Sequence, residues 1–196
     1  MEYLNAPIIL SVLIGISLAA CVGFRVFLPM LISSVAFKLG WITPVESLAW
    51  LGTTSAIIIF AVAALCETLA YLIPWLDHAF DVIAAPLAMA AGAILASAIM
   101  NDMPTPMQVG LGIVAGGGTA GAVHATTSLL RLGSTKLTGG LGNPFFAKLE
   151  SLIATVGSFL AIFIPVVMII LLAGFFWFAY KLIRKFIMKV PERPAL

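Results

Sequence analysis

From Pro7 to Phe37 the sequence carries one charged side chain, Arg25. A straight helix of that length, at about 1.5 Å per residue, exceeds the roughly 30 Å hydrocarbon core of a bilayer. The segment must tilt or break. Pro29 is the natural break, because a proline ring removes an amide donor and clashes with the preceding turn. The rest of the chain is similar. Of its 196 residues 62% are hydrophobic and 9% charged, against about 25% charged in a soluble domain. So few charges cannot cover a water-exposed surface, so lipid is the expected solvent. In lipid the backbone must satisfy its own hydrogen bonds, which leaves helices or a closed barrel. A barrel alternates apolar and polar residues in segments of about ten, whereas these runs are continuous. The expected fold is all-α: a polytopic integral membrane protein, one domain over residues 1–196.

Five membrane segments are expected, the first and last broken. After Pro7–Phe37 come Ser47–Ile73, Ala79–Met100, Met107–Leu132 and Ser151–Tyr180. Between them lie a short loop from Lys38 to Glu46, an interfacial turn "PWLDHAFD" at 74–81 and a turn "NDMPTP" at 101–106. The stretch 132–146, with Gly139-Gly140, Gly142 and Asn143-Pro144 as breakers, is the longest expected loop. The last segment is long for one span and short for two, with Pro165 at its middle. A half-helix followed by a full span and one kinked helix are both open.

Small residues mark packing faces. Ala84, Ala88, Gly92 and Ala96 form a stripe, and Gly112 with Gly116 and Gly117 with Gly121 are GxxxG pairs. Such faces also suit a homodimer. Gly110, Gly112 and Ala115 match a dinucleotide fingerprint, but no strand precedes them, and no cofactor is implied.

Leu18-Ala19-Ala20-Cys21 looks like a lipoprotein cleavage box. Residues 1–10 hold no basic side chain, which a signal peptide needs, and the chain stays apolar after Cys21. The segment is expected to be a retained span, with Cys21 and Cys66 as buried free thiols. Five of the ten basic residues (Lys181, Arg184, Lys185, Lys189 and Arg193) sit near the C-terminus, which the positive-inside rule places in the cytoplasm. Apolar residues interleave with these charges, which fits a helix leaving the membrane better than a nucleic-acid arm. Five spans would then put residues 132–148 outside, against the charges of Arg131, Lys136 and Lys148. A re-entrant 132–148 would remove that conflict.

Two pairs of segments resemble each other: 15–25 with 112–124, and 65–73 with 148–156. Copies separated by three spans would be inverted, as halves 7–103 and 106–190, and inverted repeats with broken helices are frequent in transporters. Similarity by chance among small apolar residues is the competing reading.

Arg25 is the leading site candidate. A charge at the bilayer centre costs on the order of 3 kcal/mol on insertion scales, so it should meet an anion. Glu67, equally deep in the second segment, is the expected partner. His124, Ser128 and Arg131 share one helix face at i, i+4 and i+7, and histidine is the residue type suited to proton movement near neutral pH. With Arg25 and Glu67 they form the expected substrate-binding set. Asp77, His78 and Asp81 read as helix-capping acids or as a proton or cation access point. Glu150 and Asn143 are second-tier candidates. One His with carboxylates is too little for zinc, and no catalytic motif is present.

The segments "GFRVFLP" (23–29), "IPWLDHAFD" (73–81), "HATTSLLR" (124–131) and "STKLTGGLGNPFFAKLE" (134–150) together resemble the bacterial membrane-protein family called domain of unknown function 4126. The resemblance implies an integral protein of the bacterial inner membrane and supplies no activity. Two functions stand from the residues. One is a small transporter or channel-like protein for a small anion or acidic solute, with proton coupling through His124. The other is a structural or accessory protein whose charges pair internally and whose GxxxG faces bind a partner.

Overall fold

The computed structural model describes residues 6–70, 74–101, 103–138 and 143–187, and every regular element there is helical. In order these are α1 (Ala6–Phe24), α2 (Phe27–Lys38), a 3-10 helix (Glu46–Gly52), α3 (Thr54–Ala70), α4 (Pro74–Ile99), α5 (Thr105–Leu111), a π-helical segment (Gly112–Gly117), α6 (Gly118–Thr138), α7 (Asn143–Phe163) and α8 (Pro165–Ile187). Three stretches are long and apolar enough to cross a membrane: Ala6–Phe24, Phe145–Phe163 and Pro165–Arg184. The 3-10 helix and α3, bent by 60°, make a fourth if taken as one span. The outward surface of α8 is apolar, with Ile170, Trp177 and Phe178 exposed. The protein is an all-helical membrane protein.

α1 is the axis of the bundle. Its span is 67% buried, against 17% for α8, and it packs on α4, α6, α7 and α8. Its break falls earlier than Pro29. The Arg25 amide still bonds the Cys21 carbonyl at 3.2 Å, and helix resumes at Phe27 with Pro29 in its first turn. A proline ring collides with the carbonyl four residues back, which here belongs to Arg25. The break is therefore displaced onto Arg25 and Val26. Beyond the end of α2 at Lys38 comes Gly40, whose φ of +72° suits a residue without a Cβ; its amide bonds the Phe37 carbonyl at 3.2 Å. The Ser34 hydroxyl then donates to the Leu51 carbonyl, tying α2 to the 3-10 helix.

Three expected boundaries are corrected. The stretch 74–81 is no turn but the opening of α4, where Pro74 takes the first helical position that suits proline. The long loop is mostly helix: α6 runs to Thr138 and α7 begins at Asn143. The last apolar segment is two spans, because α7 recruits residues 143–150 ahead of the apolar run and Pro165 opens α8. The two run antiparallel, since Glu150 lines one groove with Leu182 and Gly157 lines another with Met168.

Both glycine pairs are packed within the chain. A Cβ on Gly112 would lie 1.8 Å from Ser97 Oγ, and one on Gly116 would lie 2.5 Å from the Ala96 Cβ. On Gly117 and Gly121 it would meet Met89 at 3.0 and 2.8 Å. These faces lie against α4 of the same molecule. Cys21 is buried, whereas Cys66 is exposed on α3; both are free thiols.

Candidate functional site

The break between α1 and α2 leaves backbone donors without a helical acceptor. Val26 stands at the N-terminus of α2 and no side chain of its own caps it. The acceptor comes from α3. One carboxylate oxygen of Glu67 accepts from the Val26 amide at 2.9 Å, and the other from the Phe27 amide at 3.1 Å. Two amides at a helix start, with the positive end of the helix dipole behind them, form an anion cradle. Glu67 fills it and is itself 4% exposed.

Arg25 sits at the same break, 2% exposed. Its Nη2 donates to the Ala147 carbonyl of α7 at 2.9 Å. Its charge also acts on the Glu67 carboxylate. Arg25 thus joins the break in α1–α2 to the first turns of α7, while Glu67 joins it to α3.

Three residues beyond Ala147, Glu150 meets Arg131 of α6, with Nε and Oε1 3.3 Å apart. Both side chains are almost fully buried, at 5% and 6% exposure. Consecutive turns of α7 therefore receive the two buried arginines, one on a carbonyl and one on a carboxylate. His124 lies two turns before Arg131 on α6 and is also buried. Close by, Gly23 of α1 approaches α6 so tightly that a Cβ there would lie 2.5 Å from the Ala120 carbonyl and 2.6 Å from the Val123 Cβ. That contact brings the end of α1 against the turn of α6 just before His124.

Of the residues expected to bind substrate, Arg25 lies at the break whose amides Glu67 holds, and Arg131 and His124 are buried in α6. Arg131 takes Glu150, a second-tier candidate, as its carboxylate. Ser128 is only half-buried. Thr127, on the other edge of the same stripe, is the buried hydroxyl, and it donates to the His124 carbonyl at 2.9 Å. Its i+3 spacing from His124 was the available signal. Gln108 was also missed; it is buried and donates to the Ser97 carbonyl at 2.7 Å. Asn143 opens α7, and Asp77, His78 and Asp81 lie in the first turns of α4; the side chains of all four lie outside the described residues. Among the described residues, no group of three or more His, Cys, Asp and Glu could hold a metal ion.

The family described as Domain of unknown function (DUF4126) matches residues 12–185. The chain belongs to that family. Its match covers the α1–α2 break, Glu67, the glycine-rich helix and the Arg131–Glu150 pair, so the whole site lies within family-matched sequence. No curated protein and no solved structure matches the chain.

Proposed function

We propose that this member of the DUF4126 family is a small membrane transporter or channel-like protein for a small anion or acidic solute, with proton coupling. The observation that carries the reading is the Glu67 carboxylate held by the Val26 and Phe27 amides beside Arg25. The cradle at a broken helix binds an anion that is tethered to the protein. A mobile anion of similar size competes for the same amides and the same guanidinium once Glu67 is protonated and swings away. Half-helix N-termini serve anionic substrates in this way in transporters with discontinuous helices. His124, buried on α6, is a further candidate for proton movement.

The finer architecture follows the same reading. The C-terminus is cytoplasmic and the membrane is the bacterial inner membrane. Leu149 and Glu150 line one hollow with Leu182, so Lys148, and Arg131 through its pair with Glu150, lie toward the end that carries Lys181 and Arg184, in agreement with the positive-inside rule. A re-entrant 132–148 is then not required. An inverted repeat of 7–103 and 106–190 is supported by the two small-residue helices, α1 and α6, each bringing a cation to a glutamate: Arg25 toward Glu67, and Arg131 to Glu150.

A structural or accessory role is the second reading, favoured by the closed Arg131–Glu150 pair. Flux separates the two. Purified full-length protein in liposomes is tested against chloride, nitrate, formate and phosphate. Transport predicts anion flux above that of empty vesicles, abolished by Arg25→Ala. Wild-type and Arg25→Ala vesicles that leak identically across this panel would leave the accessory role.

A further inference from the structure

A second feature lies away from the Glu67 cradle, on the outer side of α7 and α8. Two adjoining hollows of about 390 and 530 Å³ share Phe24, Ile153 and Phe175 as walls. Phe24 of α1, 5% exposed, is their floor and packs edge-on against Phe175 with ring centroids 5.0 Å apart. Together they make one groove along α8 from Met168 to Leu182. At 1.5 Å per residue that is about 20 Å, a length suited to a fatty acyl chain.

The groove is polarised along its length. Its Met168 end, with Gly157 and Leu160, is lined by apolar residues alone. The Leu182 end includes Thr127, Ser134 and Glu150. Glu150 meets Arg131 at 3.3 Å, so the wall there carries no net negative charge. Around the same end three cations are exposed: Lys148, next to the lining residue Leu149, and Lys181 and Arg184, flanking Leu182. Lys181 also lies over the Trp177 ring at 5.2 Å, the kind of aromatic found at the level of lipid headgroups.

We propose that this groove binds one anionic phospholipid, its acyl chain running from Leu182 toward Met168 and its phosphate meeting Lys148, Lys181 and Arg184. The apolar floor selects a hydrocarbon chain, and the basic rim selects the sign of the headgroup. A free phosphate would use the rim without the groove, and a zwitterionic lipid would use the groove without the rim.

Native mass spectrometry of the full chain in detergent tests this with phosphatidylglycerol, phosphatidylcholine and inorganic phosphate. Basic residues near a membrane surface favour an anionic headgroup, so phosphatidylglycerol should bind at least about tenfold tighter than phosphatidylcholine, with one lipid retained. Inorganic phosphate should not compete at equal concentration. Lys148→Gln with Lys181→Gln and Arg184→Gln should erase the headgroup preference and leave phosphatidylcholine binding unchanged. Val156→Trp fills the groove from an exposed position and should weaken both lipids tenfold or more. Equal binding of the two lipids by the wild type overturns the proposal without recourse to any variant. So does undiminished phosphatidylglycerol binding by folded Val156→Trp, which would reduce the site to a basic surface.

Discussion

The Glu67 carboxylate is the group that satisfies the break between α1 and α2. It accepts two charge-assisted hydrogen bonds, from Val26 and Phe27 at 2.9 and 3.1 Å. Bonds to charged groups contribute about 1.5–3 kcal/mol each. Glu67→Ala leaves both amides without that acceptor, so it should destabilise the fold by about 3–5 kcal/mol. Glu67→Gln retains one acceptor oxygen, so its loss should be about half as large. The informative variant is the exchange Arg25→Glu with Glu67→Arg. It preserves the two opposite charges, but arginine has no acceptor, so the amides at the break remain unsatisfied. The exchange should therefore stay at least about 3 kcal/mol below the wild type. Reversible unfolding in mixed micelles, followed by far-ultraviolet circular dichroism, measures all of these. Recovery of the exchange variant to within about 1 kcal/mol of wild type would show Glu67 to be a plain counter-ion and refute the cradle.

Other perturbations test neighbouring parts of the structure. Arg131→Met alone should destabilise by about 3–5 kcal/mol by breaking the buried pair with Glu150, whereas Arg131→Met with Glu150→Met should lie near the wild type; a double-mutant cycle in the same micelles reads the difference. Gly23→Ala should destabilise by about 1–3 kcal/mol, because the new Cβ would lie 2.5 Å from the Ala120 carbonyl. Gly110→Ala, with nothing within 4 Å, should be neutral or slightly stabilising in the same unfolding assay. Pro29→Ala restores an amide that can bond the Arg25 carbonyl and lets α1 and α2 run on as one helix. It should keep the protein folded and abolish anion flux in liposomes.

The extent to which the site could be read from sequence depends on the solvent. Arg25 stood out because a lone charge in an apolar run is costly in lipid wherever the chain places it. Its association with Glu67 followed from equal depth alone. The larger part of Glu67's role was hidden: its bonds go to backbone amides 40 and 41 residues away, and a backbone donor has no letter in a sequence. Pro29 marked a break, but the ring acts on the carbonyl four residues earlier, so the break coincides with the charge. The exposure of Cys66 could not be anticipated, because lipid-facing and core-facing sides of a membrane helix are equally apolar and the helical period carries little information there. A different obstacle hid the full extent of α7, residues 143–163, whose first turns carry breakers and charges that look like loop. The glycine pairs announced close packing correctly, and only the partner, α4 of the same chain, needed the structure.

The central claim is that Glu67 is a tethered anion whose protonation admits a mobile one. Anion uptake driven by a pH gradient tests it most directly, in liposomes holding either the wild type or Glu67→Gln. The account predicts that wild-type vesicles accumulate anion uphill when a proton gradient is imposed. Glu67→Gln vesicles should pass the same anion only down its own gradient, with no response to pH. Uphill accumulation that persists in Glu67→Gln, or wild-type vesicles that behave as empty ones, would contradict it.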